Sequence, residues 1–310
     1  MVMAKKRVVV VVNKWWECDP VINVLLNDNA RPASLLGWPN PLNHPRQRPN
    51  QDKLPDENPS PMPRAFFNLK NTTAEVWCIS DLLEHYADKP NFQSSSELKA
   101  RYLPKIFTGQ DADFVVAVGT AGYPGIYSEN GSVVVGTKIF MHNGHPNSEN
   151  PDSNWSEGPF DTLLDSALSE TAFNQITIIE TSPKPSVMDR FVVPPLNPTS
   201  YGKLIARYDY VALGDLNVTK YTEYAAKDEE TLKAFTDRYN VSLASSLETT
   251  HGLIRKQSDA PFIFVSGISD RVGHFDDEVG PRTYAQNTSA AHNAGVVVAW
   301  ILPGIDNLLA

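Results

Sequence analysis

Apolar runs alternate with amphipathic segments along most of the chain, and polar residues follow directly after the apolar runs. Continuous β-branched or apolar runs predict strands buried on both faces at 8–12, 114–118 and 261–268. Leucine, phenylalanine and tyrosine at spacings of three and four predict an amphipathic helix at 227–239. Strands that alternate with helices indicate an α/β protein whose ligands bind at the carboxyl ends of its strands.

Shorter or less regular segments complete this pattern. A first helix is predicted to begin at Asp19, and a long Ala-rich helix to close the chain at 284–302. A helix at 247–256 would carry Glu248 and His251 on neighbouring turns. The remaining predicted strands are 73–79, 132–137, 176–180 and 208–213, and the remaining predicted helices are 81–86, 96–102 and 160–168.

One segment, residues 27–64, does not follow the pattern. It holds nine of the chain's 24 prolines and shows little hydrophobic periodicity. A compact domain rarely contains so long a connection unless the connection is functional or disordered. The segment is therefore interpreted either as an ordered lid near the site or as a loose excursion, and the sequence does not rank the two.

Charge and cysteine content narrow the classes of partner. The chain has 27 basic and 36 acidic side chains, a net charge of −9, and no basic run longer than residues 5–7. This composition argues against nucleic acid and anionic membrane as partners. Cys18 and Cys78 form no Cys-x-x-Cys motif, and His142 and His145 lack the spacing of zinc ligands, so we expect no metal site. Two cysteines without a disulfide pattern also indicate a reduced, cytoplasmic compartment.

Four groups of residues near predicted strand ends are candidates for chemistry. Residues 119–122 (Gly-Thr-Ala-Gly) offer backbone N–H groups and a hydroxyl to an anion or a sugar, or form a plain tight turn. Asp270, after Ser269, is either poised for proton transfer or part of a helix N-cap. Glu248 has the same capping alternative, and Glu17 is either a desolvated general base or a surface carboxylate.

Five short motifs, taken together, indicate a family. They are Val-Gly-Thr-Ala-Gly at 118–122, Gly-Ser-Val-Val-Val at 131–135, Leu-Gly-Asp at 213–215, Leu-Glu at 247–248 and Gly-Ile-Ser-Asp at 267–270. Their order and content resemble the purine nucleoside phosphorylase and methylthioadenosine/S-adenosylhomocysteine nucleosidase superfamily. The resemblance implies an α/β, single-domain, three-layer fold with a central mixed sheet flanked by helices. It further implies one domain over residues 1–310, with 27–64 as an insertion, and a homo-oligomer.

The resemblance also implies a role for each matched residue. Asp270 would be the general acid that protonates the leaving base, and Glu248 would bind the ribose hydroxyls. Thr120 would line the face where the nucleophile approaches, and Glu17 would be the base that activates water in the nucleosidase branch. The other substrate-binding positions implied are Ala121, Gly122, Asn217, Val218, Leu247 and Ser269.

Departures from the family pattern favour one branch. Phosphorylases of this superfamily hold phosphate with arginines, but the matched loop after the first strand contains none, and Ala117 stands at a second such position. Ser266 stands where the nucleosidases carry an arginine. A phosphate dianion needs charged donors to offset its desolvation, whereas water needs only a base.

We therefore expect a nucleosidase that hydrolyses the N-glycosidic bond of a purine nucleoside and uses no cofactor. The first alternative is a phosphorylase with phosphate as co-substrate, held by Lys14, Arg46 or Arg48. The second is a non-catalytic nucleoside-binding or storage protein. Asn217 stands where the family commonly stacks an aromatic residue on the purine, so stacking would come from elsewhere, for instance from Tyr221.

Overall fold

A computed structural model describes thirteen ranges of the chain. They are 4–26, 41–43, 62–87, 96–124, 131–136, 139–142, 155–157, 204–206, 211–213, 228–233, 237, 246–274 and 285–310. The strands are β1 (Lys6–Val12), β2 (Pro41–Asn43), β3 (Ala65–Asn68), β4 (Thr72–Cys78), β5 (Phe114–Tyr123), β6 (Val133–Gly136), β7 (Phe140–His142), β8 (Trp155–Glu157), β9 (Leu204–Ala206), β10 (Val211–Leu213), β11 (Leu247–Glu248) and β12 (Phe262–Arg271). The helices are α1 (Trp15–Leu26), α2 (Ile79–Ala87), α3 (Ser96–Tyr102), α4 (Pro104–Phe107), α5 (His251–Arg255) and α6 (Ala285–Leu308).

These strands form a single mixed sheet. β1 lies parallel to β4 on one side and to β5 on the other, and β12 runs parallel to β5 along the opposite edge of β5. The hairpin β3–β4 and the pair β6–β12 are antiparallel. The predicted central mixed sheet is therefore confirmed.

The valine run of β1 shows why the sheet is covered on both faces. Val8, Val10 and Val12 pack with α1 and α6 in one core cluster. Val9 and Val11 point to the other face and belong to a second cluster, with side chains from α2, α4 and α5. Because successive strand side chains alternate between faces, a strand buried on both needs an unbroken apolar run. Helices on both faces give the three layers that were predicted.

Two glycines allow α6 to lie very close to its neighbours. A Cβ on Gly267 of β12 would stand 2.0 Å from the backbone oxygen of Ala290 in α6. A Cβ on Gly295 of α6 would stand 2.9 Å from the Cα of Val21 in α1. Both close approaches exclude any residue larger than glycine. α6 therefore packs directly on the backbone of β12 and sets the position of that strand and of the acidic residue at its end.

Most predicted elements are confirmed within the described ranges, but several boundaries were wrong. β5 continues to Tyr123 and β12 to Arg271, so both predicted strands were too short at their carboxyl ends. The helix predicted at 247–256 is wrong over its first residues, because Leu247 and Glu248 form β11 and α5 begins at His251. The elements predicted at 160–168 and 176–180 lie outside the described residues.

The two helices predicted nearest the chain ends also have different bounds. α1 begins at Trp15 rather than at Asp19, so Glu17 lies in its first turn. α6 ends at Leu308, six residues beyond the predicted end. In the part of the chain that the structure describes, no helix is both long and apolar enough to cross a membrane.

The insertion at 27–64 contributes to the sheet at its edge. β2 pairs antiparallel with β3, which pairs with β4. Arg64 is buried where the insertion ends, and its guanidinium donates to both carboxylate oxygens of Asp81, at 2.6 and 2.8 Å, and also to Asp19 of α1. The bidentate pairing with Asp81 fixes the end of the insertion beside α2, and the contact with Asp19 ties it to α1. Most of residues 27–61 lies outside the described ranges, so the choice between lid and excursion stays a prediction.

Candidate active site

The candidate motifs come together around the carboxyl-terminal half of β5. Along its amino-terminal half, β5 pairs with β1 on one edge and with β12 on the other. β1 ends at Val12, opposite Val118. Above that point β11 takes the place of β1, with Leu247 opposite Gly122. On the other edge Asp270 is also opposite Gly122. The carboxyl ends of β1, β5 and β12 and the short β11 therefore meet around Gly122.

Glu17 lies directly on the middle of β5. Its Oε1 accepts hydrogen bonds from the backbone N–H of Thr120 at 2.9 Å and from the Thr120 hydroxyl at 2.5 Å. Its Oε2 accepts from the backbone N–H of Lys14 at 2.9 Å. Only 3% of Glu17 is exposed, so the alternative of a surface carboxylate is wrong. Two residues that the sequence selected independently, Glu17 and Thr120, are thus in direct contact.

Glu248 caps α5 and also faces the site. Its carboxylate accepts from the backbone N–H of Thr250 at 2.6 Å and from the backbone N–H of His251. Burial raises the pKa of Glu248 to about 7, although these hydrogen bonds and the charge of Lys99 oppose the rise. A carboxylate has about four lone-pair sites, so a capping carboxylate can still accept hydrogen bonds from a ligand.

A bulge sets the direction of Asp270. The pairing of β12 with β5 shifts register between Ile268 and Asp270, so Ser269 is the extra residue. Bulges of this kind redirect side chains and are common beside active sites. The Ser269 hydroxyl donates to Asp270 Oδ1 at 2.5 Å, and Asp270 is buried. Since β12 continues through Arg271, the alternative in which this pair caps a helix is wrong.

Gly122 lies beside the Asp270 carboxylate. A Cβ on Gly122 would stand 3.5 Å from Asp270 Oδ2. Ala121 and Leu247 are buried beside it. Sequence reasoning interpreted 119–122 either as a ligand-binding segment or as a tight turn, and the turn interpretation is wrong because these residues continue strand β5. Asn217 and Val218 lie outside the described residues.

The structure adds two residues that sequence reasoning did not place in the site. Lys99 of α3 is buried and its Nζ donates to the Thr250 hydroxyl at 2.8 Å. His251 is 1% exposed, with Nδ1 3.4 Å from the Ser266 hydroxyl. A lysine in a short polar helix is typical of a solvated face, so nothing in the sequence indicated Lys99. His251 follows Glu248 by one helical turn, which was the only available signal.

Two further groups affect the charge of the site. Burial lowers the pKa of Lys14, against the attraction of Glu17. Burial raises the pKa of Asp228 well above its ordinary value, and the negative charges of Asp270 and Glu229 add to the rise. Within the described ranges, no three His, Cys, Asp or Glu side chains converge in a way that would hold a metal ion. The described part of the site thus holds lysines as well as carboxylates.

The fold was compared with solved structures. A 5'-methylthioadenosine/S-adenosylhomocysteine nucleosidase from Colwellia psychrerythraea 34H, in complex with adenine, superposes with a TM-score of 0.55 over 98% of this chain and 97% of that one, at 14% identity. An S-adenosylhomocysteine nucleosidase from Streptococcus pyogenes matches with a TM-score of 0.55 over 99% of each chain, at 12% identity. The chain has the nucleoside phosphorylase-like fold.

Futalosine hydrolase of Helicobacter pylori strain 26695 shares the nucleoside phosphorylase-like fold, with a TM-score of 0.54 over 96% of this chain and 97% of that one, at 12% identity. No family model matches the sequence, and a comparison with curated proteins found no match. The family resemblance predicted from the motifs is thus confirmed at the level of the fold. Activity, ligands and assembly are not determined by a likeness at this level of identity.

Proposed function

We propose that the protein is a nucleosidase that hydrolyses the N-glycosidic bond of a purine nucleoside. The observation that carries the proposal is the contact of Glu17 with Thr120, at the same end of the sheet as Glu248 and Asp270. A buried carboxylate held by three donors is suited to act as a general base. A second buried carboxylate on the far edge of β5 is suited to act as the acid.

On the leaving-group side, Asp270 donates its proton to the purine ring, at N7 by resemblance to the family. The electron pair of the bond between sugar C1' and the base nitrogen moves into the base as the bond breaks. Ser269 donates to Oδ1, and Oδ2, the oxygen beside Gly122, carries the transferred proton in this proposal. General acid catalysis of this kind contributes about 10²- to 10⁴-fold to the rate.

On the sugar side, bond breaking places positive charge on the ribose ring. Glu248 accepts hydrogen bonds from the ribose hydroxyls, and its negative charge stabilises that cation. Glu17 removes a proton from a water molecule as the water oxygen forms a bond to C1'. The products are the free base and the free sugar. Glu17 keeps its position because Thr120 and Lys14 hold its two oxygens.

The charges in the site favour water over phosphate. Glu17, Glu248 and Asp270 are all carboxylates, and a phosphate dianion entering among them would be repelled unless cations compensated. Phosphorolysis is the second candidate because Lys99 is buried beside Thr250 and Lys14 is half-buried beside Glu17. Under that alternative these lysines would supply the charge that the missing arginines do not.

The names of the similar structures suggest the first substrates to try. They refer to 5'-methylthioadenosine, S-adenosylhomocysteine and futalosine. Release of the base from these nucleosides and from unmodified adenosine, inosine and guanosine, followed by ultraviolet absorbance, tests the proposal. Release from at least one is expected. Calorimetric binding of a nucleoside without release of its base would contradict the proposal and support the non-catalytic alternative.

We also propose that the protein is a cytoplasmic homo-oligomer that acts on a small-molecule nucleoside without a cofactor. The fold resemblance supports an assembly, and the two free, buried cysteines are consistent with a reducing compartment. Light scattering coupled to size exclusion tests the first point. A monomeric mass at micromolar concentration would overturn it.

A further inference from the structure

We infer that His251 is a positioning residue of this site, the side chain that links the three strands carrying Thr120, Glu248 and Asp270. This inference rests on the proposed nucleosidase function and deepens it, because it assigns a role to a residue that the family resemblance does not. The imidazole lies where β5, β11 and β12 meet. It is close to Glu248 of β11 and to Ser266 of β12, which precedes Asp270 by four residues.

Each edge of the ring meets a different element. Nδ1 lies 3.4 Å from the Ser266 hydroxyl of β12 and 3.8 Å from Glu248 Oε1 of β11. The opposite edge faces β5, where Nε2 is 3.4 Å from the position that a Cβ on Gly119 would occupy. Glu17 Oε1 lies 3.6 Å from the same position. The imidazole therefore stands between the two carboxylates Glu17 and Glu248.

The hydrogen bonds of His251 act on the segment of β5 that holds Glu17. The ring hydrogen-bonds to the backbone of Val118, two residues before the Thr120 N–H that donates to Glu17 Oε1. Because Nδ1 faces a serine hydroxyl that can donate, the proton of a neutral ring fits best on Nε2. One edge of the His251 ring thus holds the backbone of β5 in place, and the other edge contacts Ser266 of β12.

The charge state of the ring suits this role. Burial lowers the pKa of His251 to about 3, and Lys99 of α3 acts in the same direction, while Glu17 of α1 opposes it. Glu248 also faces the ring, so the charged groups around it are two carboxylates and one ammonium. Ser266 stands where the nucleosidases carry an arginine. A neutral imidazole beside Ser266 can bridge the strands without adding a cation that would attract phosphate.

Two substitutions at position 251 separate a positioning role from simple packing. His251→Leu keeps an apolar side chain in the buried site but removes both ring nitrogens. His251→Gln keeps an amide donor and an acceptor near them. A misplacement of about 1 Å costs on the order of 100-fold in rate. We expect His251→Leu to lose about that much in kcat with KM changed less than about threefold, and His251→Gln to recover at least about tenfold of the loss.

The matched control is His292 of α6, another buried histidine whose pKa burial lowers to about 4. His292→Leu should lower the melting temperature to a similar degree and leave kcat within about twofold. The acid limb of the profile of kcat/KM against pH should move in His251→Leu, because the imidazole lies 3.8 Å from Glu248, and stay in place in His292→Leu.

The outcomes distinguish two failures. If the unmodified protein releases no base from any nucleoside of the panel, the proposed function is wrong and the inference falls with it. If it is active and the folded His251→Leu protein retains its kcat and its pH profile, or if the glutamine gives no recovery over leucine, the proposed function stands and the positioning role of His251 is wrong.

Discussion

Carboxylates at the two ends of β1 have different partners. At the amino end, the Arg7 guanidinium donates to Glu75 at 2.8 Å and the Arg7 backbone N–H donates to Asp113 at 2.8 Å. At the carboxyl end, Glu17 and Glu248 accept from backbone N–H groups, and Glu17 also accepts from a threonine hydroxyl. A guanidinium fixes both the charge and the geometry of its partner, whereas neutral donors fix only the geometry. The carboxylates at the site therefore keep their charge available for a substrate.

The largest effect that this comparison predicts is on the acid at the site. Asp270→Asn keeps the shape of the side chain but removes the transferable proton. We expect kcat/KM for nucleoside hydrolysis to fall about 10³-fold, within the range of general acid catalysis, with the melting temperature changed by only a few degrees. Steady-state kinetics and thermal unfolding of the same preparation measure both quantities.

The matched control is Asp113→Asn at the amino end of the sheet. It removes the charge that faces the Arg7 backbone and Lys6, at 3.2 Å, and should change kcat/KM less than about threefold. If both asparagine variants lost activity equally, the two ends of β1 would not differ in function.

The second effect is on stability at the amino end. Arg7→Met removes the guanidinium that pairs with Glu75 and donates to the Ile106 carbonyl at 2.8 Å. Removing one partner of a buried ion pair costs about 3 to 5 kcal/mol of unfolding free energy. Glu75 is only partly buried and keeps the hydrogen bond from Trp77 Nε1 at 2.9 Å, so we expect a loss at the lower end of that range. Urea unfolding measures the loss, and the remaining folded protein should keep its kcat. A loss of kcat in fully folded Arg7→Met would mean that the amino end also shapes the site.

The smallest effect is a pH dependence that comes from Glu248. Its pKa is about 7 in the folded protein, raised mainly by burial above the ordinary value of 4.5. Between those two values the folded state binds more protons than the unfolded state, so this residue's contribution to stability falls as the pH rises through the window. His251, whose pKa is lowered to about 3, contributes the opposite slope below pH 6.5.

The measurement is therefore a difference. The unfolding free energy of the unmodified protein minus that of Glu248→Gln should decrease from pH 5 to pH 8. A difference that stays flat would mean that the Glu248 carboxylate ionises in the folded protein as it does in water. The kcat/KM of the unmodified protein should rise with pH toward 7, as Glu248 becomes the anion that stabilises the ribose cation.

The sequence predicted the layers of the fold because burial leaves a direct trace in it. The run of valines at 8–12 specifies a strand covered on both faces, and the structure has two core clusters on those faces. Strand ends were predicted less well. β5 and β12 continue through Gly119 and Ser269 because they pair with each other as far as Tyr123 and Arg271, and β5 also pairs with β11 at Gly122. Such pairing has no local signal in the sequence.

Parts of the site were predictable for a similar reason. Glu17, Thr120, Glu248 and Asp270 follow apolar runs or match short motifs, and the structure places them around one strand. Lys99 reaches the site only because α3 packs beside α5, a long-range contact that no spacing in the sequence encodes. The bulge at Ser269 depends on the pairing of two distant strands, so it too was invisible until the register was known.

The chemical identity of the sugar product tests the central claim most directly. The protein is incubated with the nucleoside that releases its base fastest, once without phosphate and once with about a 10-fold excess of phosphate over substrate. The phosphate concentration is on the order of millimolar, and the sugar product is identified by mass spectrometry. The account predicts free sugar at the same rate in both conditions, and its loss in Glu17→Gln. Sugar phosphate formed only when phosphate is present would contradict it, and would assign Lys14 and Lys99 to phosphate instead.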